Sequence, residues 1–590
     1  MRRGGVLKAH ESAAIPSNEQ DRRGAPEEQQ AGPAAATARF PSAVADRPIQ
    51  EVTRPILVTE REPASWPARL ARREDWRHRV RARVRAFRWP LLAILTVQAA
   101  LNLRMVWSNT AFQDEALYLW AGRLEWAHWL HGAPIPVFAS WFSGSPVIYP
   151  PLGALADSIG GLAAARALSL MFMLAATMLL WGTTSRLFGK RAALFATALF
   201  ATLANTQFLG AFATYDAMAL MLIALATWLG VRSLTAGQRP RTVMLIGAAS
   251  ILALADATKY AAILFDPVTV TVVSLAAWRL RGWQTSLSTG LVMSGVLLTV
   301  FLGGSLVIGP AYWHGITSTT LERQAASAST IVILERSYTW TSLVIVISAI
   351  GIMLARREGR VGRALITALA LTDLLVPAEQ IRVHTTVSLQ KHVDYGAWFA
   401  VMAAGYAMAR VSQLNKGVGW APVLFLPILA FAIYSSPGQA DRLFAGWPKA
   451  TSLINAARPA LKHEKGPILA EGDEYSVIPY YLGSEVSYRQ LRTTYDFTYN
   501  DPRSHQVIGM PTSFSDAIRN GYFGLVALDY AGGYPAVDSV ITRAAEASSN
   551  CRELLNEAYV QLYLRRSFRV WSGTPPPTHH NGRRRHGGRS

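Results

Sequence analysis

The stretch Thr110-Ala111-Phe112-Gln113-Asp114-Glu115-Ala116-Leu117-Tyr118 sets two adjacent carboxylates directly after an apolar run that begins at Trp89. A bilayer span takes about 20 mostly apolar residues, so residues 89–108 are long enough to cross and the acidic pair stands at the exit. An isolated Asp-Glu pair carries little meaning. What it can do depends on how many further spans follow and on which side of the membrane it emerges.

Further apolar runs predict spans at 161–185, 192–210, 213–231, 242–258, 260–278, 285–309, 338–355, 364–379, 394–410 and 418–435, eleven in all with the first. Basic residues follow every even-numbered span: Arg186, Lys190 and Arg191, then Arg232, Arg239 and Arg241, then Arg279 and Arg281. The same holds for Arg356, Arg357, Arg360 and Arg363, and for Arg410 and Lys416. Short loops rich in Lys and Arg stay in the cytoplasm. The pattern predicts a multi-pass protein of the cytoplasmic membrane with its N-terminus inside. The acidic pair and everything from residue 436 onward are then extracytoplasmic.

Composition agrees. Of 590 residues, 51% are hydrophobic and only 16% charged, where soluble domains average roughly 25% charged. The net charge of +20 would suit nucleic acid, but much of it sits in two tails and the short loops, so no nucleic-acid partner is expected. Residues 66–88 hold nine arginines ahead of the first span, a topology anchor that also attracts anionic lipid. Residues 1–88 therefore read as a disordered basic cytoplasmic arm and 573–590 as a disordered basic tail. The single cysteine, Cys551, excludes an intramolecular disulfide.

Between the tails, 89–435 forms the membrane domain and 436–572 a small α/β domain. Strands are expected at 467–470, 523–528 and 559–565, and helices at 514–521 and 536–547. The first loop, 109–160, is too long for a plain turn. Leu117, Trp120, Leu124 and Ala127 are spaced within it as on an interfacial amphipathic helix.

Adjacent residues on a helix point to different sides, so Asp114 and Glu115 do not share one proton. One can face a cavity and act as a base; equally, both suit the first turn of a helix on dipole grounds alone. Asp216, Lys259, Tyr260 and Arg166 lie at the ends of spans, where ionisable groups are costly and kept for a purpose. Asp256 and Lys259, three apart, can also simply neutralise each other. The stretch 379–396 carries Arg382, His384, Lys391, His392, Asp394 and Tyr395 on the side otherwise poor in base. Such a cluster is what a phosphate group needs. A metal site from His384, His392 and Asp394 has no recognised spacing. His128 and His131 read as ordinary interfacial residues.

Asp114-Glu115 in the first loop, Tyr149-Pro150-Pro151 before the second span, Thr214-Tyr215-Asp216 at the fourth, and Lys391-His392-Val393-Asp394-Tyr395-Gly396 together resemble the GT-C membrane glycosyltransferases. The similarity is to the branch of protein O-mannosyltransferases and aminoarabinose lipid A transferases, and covers 89–435. The resemblance implies an α-helical polytopic fold of about eleven transmembrane helices with an α/β extracytoplasmic domain. It implies an inverting transferase that moves a sugar from a polyprenyl-phosphate carrier to a hydroxyl of a protein, lipid or polysaccharide acceptor. Asp114 then corresponds to the base and Glu115 to the second acidic position. Lys259, Arg382, Lys391 and His392 are the candidates for the lipid phosphate. Tyr149, Asp216, Tyr260, His384, Asp394 and Tyr395 are the candidates for substrate contact. No cofactor is certain; some relatives use a divalent metal, which is left open here. A transporter or flippase of lipid-linked sugars also suits many spans with internal charges. The absence of internal repeats, the acidic first loop and the sizeable outer domain favour the transferase.

Overall fold

The computed structural model describes residues 89–322, 327–414, 426–463, 466–472, 474–530, 535–561 and 564–573. The basic arm, the basic tail and the first part of the eleventh predicted span lie outside the described residues. The chain is a polytopic helical membrane protein followed by a small α/β domain. Seven described segments are long and apolar enough to cross a membrane, eight when one bent pair counts as a single span.

Helix α1 (Trp89–Val106) leads to α2 (Gln113–His131), which lies within the long first loop. The predicted loop 109–160 is shorter than expected, because α3 begins at Tyr149 and runs to Phe188. Pro150 and Pro151 fit its first turn, where their missing N–H groups cost nothing. Gly160 and Gly161 break the helix, Gly161 at φ 65°. The second predicted span is the part of α3 beyond this break. Helix α2 crosses the start of α3 at Gly122, where an added Cβ would lie 2.0 Å from the Pro150 carbonyl oxygen. That close approach fixes the angle at which the acidic pair enters. Trp120 of α2 is buried, and the Trp126 indole donates to the Pro151 carbonyl.

The third predicted span is two helices, α4 (Lys190–Thr202) and α5 (Ala204–Gly210), bent by 68° about Leu203. All of α5 is buried, including Asn205, Thr206 and Gln207. Then come α6 (Tyr215–Ser233), α7 (Gln238–Thr258), α8 (Asp266–Arg281) and α9 (Trp283–Val307). Helix α6 is central, with 72% of its apolar window buried, and α9 is peripheral, with 6%. After α10 (Pro310–Thr319), the eighth and ninth predicted spans correspond to α11 (Thr330–Leu354) and to α12 (Gly359–Leu371) continued by α13 (Leu375–Arg382). Helix α14 (Leu389–Leu414) packs against α11 and α4, and α15 (Leu426–Phe444) runs on through Pro437.

The C-terminal domain starts with α16 (Thr451–His463), β1 (Ile468–Ala470), α17 (Glu474–Leu482) and β2 (Leu491–Thr493). A short ribbon of β3 (Tyr499–Asn500) and β4 (Val507–Ile508), then α18 (Thr512–Arg519), β5 (Leu525–Leu528) and α19 (Pro535–Ala547), follow. The chain closes on β6 (Cys551–Gln561) and β7 (Leu564–Gly573). The sheet order is β2-β1-β5-β7-β6, with β1 parallel to both neighbours and β7 antiparallel to its own. Strands β1 and β5, and helices α18 and α19, fall where the sequence places them. The expected last strand at 559–565 is divided between the end of β6 and the start of β7, which pair antiparallel. Leu469, Phe514, Val526, Ile541 and Trp571 form the domain's own core.

Candidate active site

Asp114 sits in the first turn of α2, 2.5 Å from the Lys391 ammonium at the start of α14. Its side chain keeps 26% exposure while that of Lys391 keeps 7%. Of this pair, the carboxylate is the partner a substrate can reach.

Its neighbour Glu115 points the other way and is fully buried. The Arg166 guanidinium donates to both its oxygens, at 2.8 and 2.7 Å, and the backbone N–H groups of Phe112 and Ala213 donate at 3.0 and 2.8 Å. Arg166, also fully buried, spends its remaining donors on the carbonyls of Val106, Asn109 and Thr110. A buried charge is tolerable only when paired and fully bonded, and this pair is. Glu115, the second acidic position expected from the sequence, thus stands as an anchor for the turn that carries Asp114. Sequence reasoning noted Arg166 as an ionisable group in an apolar run without giving it a role.

The same turn is held from the C-terminal side. The Trp447 indole donates to the Thr110 carbonyl at 3.0 Å, Ala450 N–H to the Thr110 hydroxyl at 2.8 Å, and Ala111 N–H to the Tyr481 hydroxyl at 2.9 Å. The Gln113 amide reaches the Gly472 carbonyl at 3.3 Å. Along α2, Arg123 bonds Asp157 of α3 and the Tyr480 carbonyl, and the Tyr480 hydroxyl donates to Asp157. Asp114 thus stands on a short segment braced between the membrane helices and the C-terminal domain.

A second polar group adjoins the first. Asp216 opens α6, fully buried, with the Lys259 ammonium at 2.8 Å, His392 Nε2 at 3.8 Å and the Thr214 hydroxyl donating at 2.9 Å. Lys259 lies over the Tyr215 ring at 4.4 Å, a cation–π contact. The Tyr215 hydroxyl accepts from Tyr118 at 2.6 Å and meets Ser143. Tyr395 closes the layer by donating to the Asp216 carbonyl at 3.0 Å. Lys391 interacts electrostatically with both Asp114 and Asp216. Asp114, Lys391, Asp216 and Lys259 therefore form one run of alternating charge, with His392 beside Asp216, contributed by α2, α14, α6 and the turn after α7.

Other expected members fall elsewhere. Arg382 is exposed at the end of α13 and paired with Glu379 of the same helix, as i,i+3 spacing allows. His384 is exposed at φ 48°, its carbonyl accepting from Ala328 N–H. Neither joins the cluster. Tyr149 is fully buried 6.5 Å from the Tyr215 ring, and Tyr260 is buried with its N–H bonded to the Ser143 carbonyl. Asp394 accepts from the Thr206 hydroxyl in the interior, behind the cluster. Asp256 does not neutralise Lys259; it faces Asp266, and Lys259 is taken by Asp216. Tyr118 and Tyr215, which the sequence shows only as parts of longer motifs, gain a place in the site through their paired hydroxyls. Among the described residues no three His, Cys, Asp or Glu side chains converge to hold a metal ion. His384, His392 and Asp394 do not assemble one.

A profile of the dolichyl-phosphate-mannose-protein mannosyltransferase family matches residues 154–307. No curated protein matches by sequence. Among solved structures, ArnT from Cupriavidus metallidurans bound to undecaprenyl phosphate is similar over 83% of this chain and 98% of its own, at 15% identity and a TM-score of 0.50. In its apo state the same protein gives 0.52 over 82% and 98%, at 15% identity. The apo Archaeoglobus fulgidus oligosaccharyltransferase is similar over 77% of this chain and 71% of its own, at 12% identity and 0.51. Taken with the helical membrane body and the C-terminal sheet, these likenesses show that the chain shares the fold of ArnT and of the archaeal oligosaccharyltransferase over most of its length.

Proposed function

We propose that this chain is an inverting glycosyltransferase that moves a sugar from a polyprenyl-phosphate carrier to an acceptor hydroxyl at the extracytoplasmic face of the cytoplasmic membrane. The observation that carries the reading is the contact between Asp114, still reachable from solvent, and the buried Lys391. In the reaction the acceptor oxygen bonds to the anomeric carbon and the bond from that carbon to the phosphate oxygen breaks. The lipid phosphate leaves with the electron pair, and the acceptor proton passes to Asp114. Lys391, His392 and Lys259 supply positioned positive charge for the departing phosphate.

The pairing suggests how the base is switched on. In the resting protein Lys391 is bonded to Asp114. A phosphate entering the cluster competes for the ammonium, and Asp114 is freed to meet the acceptor hydroxyl as donor binds. Glu115 and Arg166 hold the turn still during this exchange. The basic even-numbered loops support an N-terminus inside and a C-terminal domain outside.

The test is single-turnover transfer from a polyprenyl-phosphate sugar by the purified full chain. Asp114→Asn should lose transfer about 10²–10⁴-fold and keep donor binding. Transfer by Asp114→Asn within threefold of the parent would sink the reading. Passage of intact donor across a vesicle membrane, with no sugar transferred, would replace it with a flippase.

A further inference from the structure

An open groove of about 710 Å³ runs between α2 and α17, away from the charged cluster and lined in part by the residues that brace α2. We infer that it is a saccharide subsite, holding the non-reacting sugars of a glycan acceptor while the terminal hydroxyl reaches Asp114. The inference rests on the transferase reading and deepens it by naming the acceptor class.

The lining carries the argument. Tyr481 from α17 and Tyr488 from the next turn supply half-buried aromatic surface, Trp120 and Tyr480 form the buried floor behind them, and the exposed Arg123 and Arg489 supply guanidinium groups. A sugar ring presents apolar C–H faces and a rim of hydroxyls. Aromatic faces beside fixed hydrogen-bonding groups match both. No lining residue is acidic, and Arg123 is already bonded to Asp157 at 3.0 Å, so the groove neither repels nor demands a strong charge. Its volume falls within the roughly 300–1,000 Å³ of ordinary ligand sites.

Two other acceptor classes fit worse. A peptide that binds by adding a strand needs a free sheet edge, and the edge strand β2 begins only at Leu491, beyond the last lining residue, Arg489. An acyl chain needs a continuous apolar wall, and here two arginines and two serines, Ser484 and Ser487, interrupt it.

The groove is also rigid and tied to the base. The Tyr481 hydroxyl accepts from Ala111 N–H, three residues ahead of Asp114. The Tyr480 hydroxyl is held by Asp157, and Arg123 lies over its ring at 4.6 Å. Trp120 is six residues beyond Asp114, about 9 Å along the axis at 1.5 Å per residue. A short glycan can bridge that distance. Rings held in advance by their own hydrogen bonds lose little freedom on binding.

The test uses the full chain in detergent against immobilised neutral and uronic-acid di- to hexasaccharides, with Ser/Thr peptides and anionic vesicles as comparison probes. Tyr488 is half-buried and Arg489 exposed, so Tyr488→Ala and Arg489→Ala should fold normally. The parent should retain an oligosaccharide, and each variant should bind it about tenfold or more weakly, as for a central aromatic or Arg contact. Donor hydrolysis in the absence of acceptor should be unchanged. Retention of no glycan, equal retention by parent and variants, or Tyr488-dependent retention of peptides or vesicles instead would overturn the inference. If donor is turned over while no glycan is held, only the groove assignment falls. If glycans bind through Tyr488 but donor is never used, the transferase reading falls and the groove stands.

Discussion

Replacing Arg166 by Met tests whether the turn before α2 is held as described. Methionine fills similar length without charge. The change removes two bonds to Glu115 and three to the carbonyls of Val106, Asn109 and Thr110. Glu115 keeps only two backbone N–H partners and is left as a buried, unneutralised carboxylate. Breaking one half of a buried pair typically costs about 3–5 kcal/mol, a large part of the 5–15 kcal/mol, roughly, that stabilises a domain. The assay is tryptophan-monitored unfolding of the purified chain in mild detergent. The companion is Arg166→Met with Glu115→Met, because replacing both partners by apolar side chains is often close to neutral. The double variant should recover most of the loss. Stability of Arg166→Met within about 0.5 kcal/mol of the parent, or a double variant no better than the single one, would refute the anchoring role.

Other outcomes follow from the same geometry. Lys391→Met should weaken affinity for a polyprenyl-phosphate sugar by about tenfold or more, since a charge-assisted bond is worth roughly 1.5–3 kcal/mol, and Lys391→Arg should keep part of it; equilibrium donor binding measures both. Gly122→Ala drives a methyl group against the Pro150 carbonyl and should lower stability by about 1–3 kcal/mol, read as a drop in the unfolding midpoint. Burial raises the Glu125 carboxyl above its ordinary range, so the folded state holds its proton more tightly than the unfolded chain does. That contribution to stability is full below the unfolded value and is lost as pH rises through the folded one; Glu125→Gln should flatten this part of a pH–unfolding profile.

The spans and the acidic turn were legible because bilayer length and short-loop charge leave direct marks on composition. The α/β domain's strands at 468–470 and 525–528 were legible for a similar reason, being buried apolar runs bounded by Gly or Pro. The hairpin at the end was not. Neither Cys551–Gln561 nor Leu564–Gly573 alternates apolar and polar residues regularly, and no Asn-Gly or Asp-Gly pair stands between them in the sequence. Within the site, Asp114, Lys391, His392, Asp216 and Lys259 could be picked out as ionisable groups near span ends, but not paired. Lys259 lies three residues from Asp256, yet its partner is Asp216, 43 residues earlier in the chain. Helical spacing cannot say so, because the turn after Thr258 redirects the side chain. Arg382 and His384 were drawn in by neighbourhood in sequence, although α13 ends by turning them to the surface.

The bracing of the Asp114 turn has a bearing on how the protein is made. Its contacts come from Arg166 early in the chain and from Trp447, Ala450 and Tyr481 near its end. A ribosome that has delivered the acidic pair must still deliver more than half of the polypeptide before the last of these partners exists. Lys391 also arrives late. A nascent chain already threaded into the bilayer therefore lacks the full bracing of its acidic turn, and the turn is complete only when most of the chain has been made.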